Sequence, residues 1–297
     1  MASAESATPN AKWERVRRLD PAAMTAAVAA ATGIDLQVVG PCPGGQVGAA
    51  YVRWPDRHLS VLKWRPAVPL RELRAGPFAV LDAARAIGYP APAIELAVPV
   101  EAAVATVQEL VPGQPLDYLD AAILDQALAL NQLQAGLLAG RPGIGPLRLY
   151  LTQDGPGFCL HGPAREYSAR TARLERWVRS VGAQYGDQLT GDDAVHGDFH
   201  PGNFLATDGA INGVIDWDGA ARGHRGFDLV TLRIGWLGMR SDAATLRRLD
   251  AELDALPAHV LLPAWAHMSM RLADWAIRHF GPAELSYWLT VAEQRMS

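Results

Sequence analysis

The chain has 297 residues, enough to bury a sizeable core as one large domain or two smaller ones. Apolar residues make up 49% and charged residues 20%, the balance of a globular protein, and a net charge of −4 with scattered bases offers no nucleic-acid surface. No apolar run approaches a membrane span, no secretory pattern opens the chain, and Cys42 and Cys159 sit far apart without a Cys-x-x-Cys, so a cytoplasmic protein with free thiols and a polar tail over residues 1–10 is expected.

In chain order, residues 21–31 form an Ala-rich helical stretch that ends at Gly33. Residues 37–40 open a strand, and Pro41-Cys42-Pro43-Gly44-Gly45-Gln46-Val47-Gly48 makes a Gly-rich turn into the strand run Tyr51-Val52-Arg53-Trp54. Pro55-Asp56-Arg57 then turns the chain into Leu59-Ser60-Val61-Leu62-Lys63-Trp64. Gly44, Gly45 and Gly48 would let backbone N–H groups approach a phosphate without a Cβ clash, although Pro-Gly-Gly also occurs in plain hairpins. Lys63 is unusual because Lys12 and Lys63 are the only lysines of the chain, every other strong base being Arg. A phosphate site at the end of a strand favours a compact ammonium over a planar guanidinium, whereas a lone lysine elsewhere is a solvated surface residue.

Residues 70–87 read as one helix closed by Gly88-Tyr89-Pro90, and residues 102–110 as an apolar strand leading into Val111-Pro112-Gly113-Gln114-Pro115-Leu116. Beyond it, residues 119–138 carry apolar side chains at helical spacing, 141–158 is a Gly- and Pro-rich loop, and 164–181 is amphipathic and Arg-rich. Helices are expected again over residues 242–256, 260–279 and 282–296.

The most informative stretch is Val195-His196-Gly197-Asp198-Phe199-His200-Pro201-Gly202-Asn203, followed by Ile215-Asp216-Trp217-Asp218. Two strand-like runs flank Asp208-Gly209, a hairpin signal, and folding that hairpin returns Asp216 to the neighbourhood of Asn203. One loop then presents a carboxylate able to take a hydroxyl proton beside an amide and a second carboxylate able to hold Mg²⁺, the parts that kinase-type phosphoryl transfer needs. A different chemistry is open to the same residues: His196, Asp198 and His200 alternate, so on a strand they would share one face like the ligands of a zinc hydrolase. Pro201-Gly202 disfavours a continuing strand, and the chain lacks a further His-rich cluster. A plain Asx-rich turn would leave the hydrophobic strand ending in Asp216 unexplained.

At these residues the chain resembles the aminoglycoside phosphotransferase family of small-molecule kinases, whose catalytic loop reads H-G-D-x-H-x-x-N and whose metal motif reads I-D-W-D/E. The resemblance implies an α+β, bilobal, protein-kinase-like fold. An antiparallel-sheet lobe with one main helix over residues 11–110 would hold the nucleotide, and a larger, mostly helical lobe over 111–297 the catalytic loop and acceptor site. It implies ATP or GTP as donor, Mg²⁺ as cofactor, and the hydroxyl of an antibiotic or metabolite as acceptor, in a monomer or homodimer without membrane or nucleic-acid partners. Asp198 then orients and deprotonates the acceptor, Asn203 and Asp216 hold the metal, and Asp218 binds a second metal or supports the first. His200 hydrogen-bonds the transferred phosphate or packs the loop, while His196 and Asp228 brace it. Lys63 matches the strand lysine that reaches the phosphates. The carbonyl of Glu109 and the N–H of Val111 match the hinge that reads the adenine edge. One feature departs from the pattern: the helix Glu that pairs with the strand lysine should fall near Pro77, where there is no carboxylate, so the partner of Lys63 stays open, and a non-catalytic, nucleotide-binding pseudokinase is the alternative to a kinase. For the acceptor, Trp236, Trp265, Trp275, Tyr287 and Trp288 are core residues or sugar platforms, and Asp192, Asp193, Asp242, Asp250 and Asp254 either meet a polycation or are solvated.

Overall fold

The computed structural model describes residues 18, 20–42, 48–66, 68–101, 103–235 and 240–296. The expected tail over residues 1–10, the turn residues Gly44 and Gly45, and Trp236 lie outside the described residues. Cys42 and Cys159 are free thiols, and among the described residues no helix is long and apolar enough to cross a membrane.

Five strands, β1 (Gln37–Cys42), β2 (Ala49–Arg53), β3 (Leu59–Pro66), β4 (Ile94–Val100) and β5 (Ala103–Glu109), form one antiparallel sheet in the order β1-β2-β3-β5-β4. Helix α1 (Pro21–Thr32) is capped by the Asp20 carboxylate, which accepts the Ala22 and Ala23 N–H groups, and it stops at left-handed Gly33. It lays Met24 and Val28 on Val52, Leu62 and Val107. Strand alternation sends the buried Leu62 to that face and turns its neighbour Lys63 to the opposite one. Strand β4 is the sheet element the sequence did not announce. It lies at the sheet edge, where Pro99 leaves no interior ladder bond unmade.

The single helix expected over 70–87 is two helices, α2 (Leu70–Ala75) and α3 (Pro77–Ala86), hinged at Gly76. Proline in a helix interior lacks a donor and clashes with the preceding turn, a cost of about 3 kcal/mol, so the chain breaks and restarts with Pro77 in the first turn. The apolar face of α3, with Val80, Leu81 and Ala84, then packs with Phe199, Phe204, Val214 and Trp217, the apolar residues on which the catalytic loop is built.

After β5 the short strand β6 (Gln114–Pro115) joins a second sheet. It pairs with β8 (Phe204–Thr207), whose hairpin partner is β9 (Ala210–Val214). Strand β7 (Asp193–Val195) pairs with β10 (Ala221–Gly223) just ahead of the catalytic loop. The helices of this part are α4 (Ala121–Leu133), α5 (His161–Tyr167), α6 (Ala169–Tyr185), α7 (Gly226–Gly235), α8 (Ala243–Asp254), α9 (Ala258–His279) and α10 (Pro282–Glu293). The amphipathic stretch 164–181 divides at Ser168, whose hydroxyl accepts the Thr171 N–H in a capping box.

Helix α9 organises this lobe. His267, Arg271, Asp274 and Arg278 recur at helical spacing, and three of them staple the loop that precedes α5. The Tyr150 N–H donates to His267 Nδ1 at 3.2 Å, the Leu160 N–H to Asp274 Oδ2 at 3.1 Å, and Arg278 Nη2 to the Gly157 carbonyl at 2.9 Å. The Asp274–Arg278 pair is buried, with Nε–Oδ1 2.8 Å. Removing one partner of a buried pair strands the other charge. Arg278→Ala is therefore expected to lower unfolding free energy by about 3–5 kcal/mol, read from denaturant unfolding.

Candidate active site

The catalytic loop is held from behind by one carboxylate. Asp228, in the first turn of α7, is fully buried; its Oδ2 accepts the His196 N–H at 2.7 Å and its Oδ1 the Gly197 N–H at 2.9 Å. Gln134 Nε2 donates a third bond at 2.9 Å, and Gln134 is itself held by Asn131 at 2.9 Å. Three donors favour the charged form, yet burial pushes the Asp228 carboxyl up to about 7. Thr231, one turn further along α7, accepts the Phe199 N–H at 3.1 Å and donates back to the Phe199 carbonyl at 3.0 Å.

His196 is equally committed. Its Nε2 lies 2.9 Å from the Ile215 carbonyl and so carries the proton, while Nδ1 accepts the Asp198 N–H at 3.2 Å. Burial pushes its pKa down to about 4, which keeps this neutral tautomer. Both ring nitrogens are spent on the backbone, so His196 cannot ligate a metal with His200 and Asp198, and among the described residues no cluster of three His, Cys, Asp or Glu side chains could hold a metal. The hydrolase alternative therefore fails. Gly197 is required sterically: it has φ 82°, and a Cβ would lie 2.7 Å from the Gly219 carbonyl oxygen.

The loop delivers Asp198 and Asn203 together. Asn203 Nδ2 donates to the Asp198 carbonyl at 2.8 Å and approaches Oδ2 at 3.3 Å. His200 Nδ1 takes the Gly202 N–H at 3.1 Å, so its Nε2–H faces Asp198 Oδ2 at 3.5 Å. The opposite oxygen, Oδ1, lies 3.1 Å from Arg271 Nη2 of α9, while Arg271 Nη1 donates to the Gly197 carbonyl at 3.3 Å. Burial works against the Asp198 charge, but Arg271 and His200 outweigh it and hold the carboxyl well below the usual range. Arg271 had no signal in the sequence, being one arginine among many on an amphipathic helix.

The hairpin does what its spacing predicts. Its turn residues Asp208 and Gly209 have φ of 51° and 78°, and the Ile215 N–H returns to the Asn203 carbonyl at 2.9 Å. Asp216 follows in the left-handed region, φ 68° and ψ 53°, a conformation that non-glycine residues rarely adopt outside functional or turn positions. From there its Oδ1 meets Lys63 Nζ at 2.8 Å. Asp218 Oδ2 lies 3.8 Å from Lys63 and 3.7 Å from Arg65 Nη1. The open question about Lys63 is thus answered by the segment after the hairpin: its partners are Asp216 and Asp218, not a helix carboxylate. Although burial disfavours the ammonium, the two carboxylates hold its pKa above the ordinary lysine value, and Lys63 in turn holds the Asp216 carboxyl low against the same burial penalty.

The hinge residues are less diagnostic. The Glu109 side chain is structural, accepting the Ala93 N–H at 2.9 Å and pairing with Arg85 at 3.3 Å. Val111 rests on Gly213 of the hairpin, where a Cβ would fall 2.5 Å from Val111 Cγ1, so the hinge and the metal hairpin are in direct contact. Gly48, with φ 88°, leads into β2. For a hard cation the oxygen donors at hand are the carboxylates of Asp216 and Asp218 and the Asn203 side-chain carbonyl, whose amide nitrogen is taken by Asp198. Mg²⁺ keeps waters and substrate phosphates and needs one or two carboxylates, so this set fits.

The residues offered by sequence for the acceptor have partners of their own. Asp242 caps α8, Asp193 takes the Gly136 and Arg225 N–H groups, and Asp192, Asp250 and Asp254 pair with Arg222, Arg233 and Arg295. Trp265 is core, Trp275 stacks on His279, and Tyr287 packs against Trp288.

An antiparallel sheet roofed over a helical lobe, with an Asp–Asn loop and an Asp hairpin facing a strand lysine, defines a kinase-like fold. The model of the Phosphotransferase enzyme family matches residues 39–269, and the chain belongs to that family. Among solved structures, a thermostable mutant of aminoglycoside phosphotransferase APH(4)-Ia in its apo form has a TM-score of 0.61 at 15% identity, covering 92% of this chain and 98% of that one. The GDP and kanamycin complex of APH(2")-IIia has a TM-score of 0.55 at 15% identity, covering 92% and 97%. A putative fructosamine-3-kinase from Thermobifida fusca has a TM-score of 0.54 at 18% identity, covering 91% and 96%. At these identities the likeness is one of fold. A search of curated protein sequences found no matching relative.

The buried imidazoles make stability depend on pH. His196 and His267 have pKa values pushed by burial to about 4 and about 3, below the unfolded value, so each takes up a proton on unfolding as pH falls from ~6.5. Asp228, held near 7, releases one over part of that range and offsets one imidazole. Unfolding near pH 5 should therefore take up about one net proton from these three groups, and stability should fall on acidification between ~6.5 and about 4. Denaturant unfolding across that range checks it; a flat profile would contradict the buried neutral imidazoles.

Proposed function

We propose that the protein transfers the γ-phosphate of ATP or GTP to a hydroxyl of a small molecule, in the presence of Mg²⁺. The observation that carries this reading is the convergence of Asp198, Asn203 and Asp216 on the cleft opposite Lys63. Asp198 accepts the proton of the acceptor hydroxyl, its carboxylate fixed in orientation by Arg271, His200 and Asn203. Asp216 and Asn203, with Asp218 beside them, would hold Mg²⁺, which would neutralise charge on the donor phosphates. Lys63 exchanges its carboxylate partners for those phosphates, a trade that keeps its charge compensated at each stage. His196, Gly197 and Asp228 keep the loop in place.

The acceptor class we favour is an antibiotic, with a resistance or self-protection role in the cytoplasm. Two of the similar folds are aminoglycoside phosphotransferases, one of them bound to GDP and kanamycin. The fructosamine kinase likeness supports a metabolite acceptor as the alternative. We further propose that the division between nucleotide and acceptor lobes falls near residue 110, where β5 ends and β6 joins the hairpin sheet.

Asp198→Asn keeps the shape of the side chain but removes the base. It should bind Mg–nucleotide normally while turnover falls by about a hundredfold or more, measured as product formation by mass spectrometry. Lys63→Arg preserves charge but puts a planar fork where a point charge is needed. A misplaced charge-assisted bond is worth roughly 1.5–3 kcal/mol, so kcat/KM should fall at least about tenfold. A normal rate with normal nucleotide KM would move the phosphate site away from Lys63.

A further inference from the structure

The surroundings of Asp198 in the helical lobe carry a character that the catalytic motifs do not dictate. Arg271, whose Nη2 holds Asp198 Oδ1 at 3.1 Å, stands 5.7 Å above the Phe158 ring. Phe158 packs edge-to-face on Tyr150 with centroids 5.3 Å apart. The loop carrying both rings is pinned to α9 through His267, Asp274 and Arg278, so the platform is preformed. Both rings and the guanidinium are only half-buried, with the Arg271 side chain 31% exposed beside the reacting carboxylate. The Tyr150 hydroxyl also lies within electrostatic reach of Arg148 and of Arg65 from the sheet lobe.

Three carboxylates that flank this platform have protein partners. Asp154 accepts the His161 N–H at 2.7 Å, Asp187 accepts the Leu151 and Thr152 N–H groups at 3.1 and 3.0 Å, and Asp274 is paired with Arg278. A polycationic aminosugar brought to Asp198 would therefore meet the Arg271 guanidinium and aromatic faces beside its reacting hydroxyl. Like charges brought together and desolvated polar groups are the usual means of rejecting a ligand. A flat ring would instead stack on Phe158, and a neutral or acidic substituent would sit beside Arg271.

We infer that Phe158, Tyr150 and Arg271 form an acceptor subsite selective for a ring-bearing hydroxyl compound without positive charge next to the reacting hydroxyl. The inference rests on the kinase reading above and narrows its acceptor. The neighbouring folds that take aminoglycosides share the scaffold; the side chains on this loop and on α9 set the preference of this chain.

The test is equilibrium binding of three probes to the full chain loaded with Mg–AMP-PNP: phenyl glucuronide, phenyl glucoside and kanamycin. At least one phenyl glycoside should bind more tightly than kanamycin. Phe158→Ala should weaken that binding about three- to tenfold while Mg–AMP-PNP affinity is unchanged, and Phe158→Tyr, which keeps the ring, should restore it. Unchanged nucleotide affinity shows that each variant is folded. Tighter binding of kanamycin, no binding of either phenyl glycoside at millimolar concentration, or indifference to Phe158→Ala would each overturn the inference and leave the kinase reading standing. Failure of the wild-type chain to bind Mg–AMP-PNP would remove the kinase reading itself, and the subsite with it.

Discussion

The site depends on one buried carboxylate. Asp228 accepts the backbone N–H groups of His196 and Gly197, which lead directly into Asp198. Backbone donors of an irregular loop have no ladder to satisfy them, and burying them unpaired costs about 1–3 kcal/mol each. A carboxylate offers enough lone pairs to serve both and to accept Gln134 as well, which an amide or hydroxyl could not. Burial of its charge is the counterweight, partly met by the three donors. Helix α7, packed in the core of the helical lobe, holds the carboxylate still, so loop geometry is set by the helix framework rather than by the loop itself.

Across the cleft the electrostatics are arranged in pairs. Lys63 and Arg65 come from the sheet and meet Asp216 and Asp218, while Arg271 comes from α9 and meets Asp198. Asp198 and Asp216 are each held ionised by a cation from a different element, and each of these cations has a carboxylate partner. Such pairs tie the two lobes together at the site itself. The same pairing explains why the chain dispenses with a carboxylate on the helix after β3. Pro77 breaks that helix where the carboxylate would stand, and α3 is used instead to cover the apolar base of the catalytic loop.

A good part of this was legible in the chain. The Asp–Asn spacing, the Asp208-Gly209 turn and the hydrophobic run ending in Asp216 encode a local structure, because hairpin geometry is decided within a dozen residues. The rarity of lysine marked Lys63, and strand alternation turned it from the core into the cleft. What was misread was also local in origin: Pro77 breaks the helix that periodicity alone runs from 70 to 87, and β4 was hidden by its edge position and its proline. The proline at 77 was present in the sequence but weaker as a signal than the 3.6-residue repeat around it.

The sequence by itself determined the family, the catalytic loop and the hairpin that brings Asp216 back to Asn203, since these rest on contacts between near neighbours in the chain. Tertiary structure alone decided what surrounds them. That Asp216 is the partner of Lys63, that Arg271 clamps Asp198, and that Phe158 and Tyr150 rather than the C-terminal tryptophans flank Arg271 are consequences of packing between elements far apart in the chain. An arginine on an amphipathic helix reads the same whether it faces water or a catalytic carboxylate. Only the angle at which α9 crosses the loop separates the two.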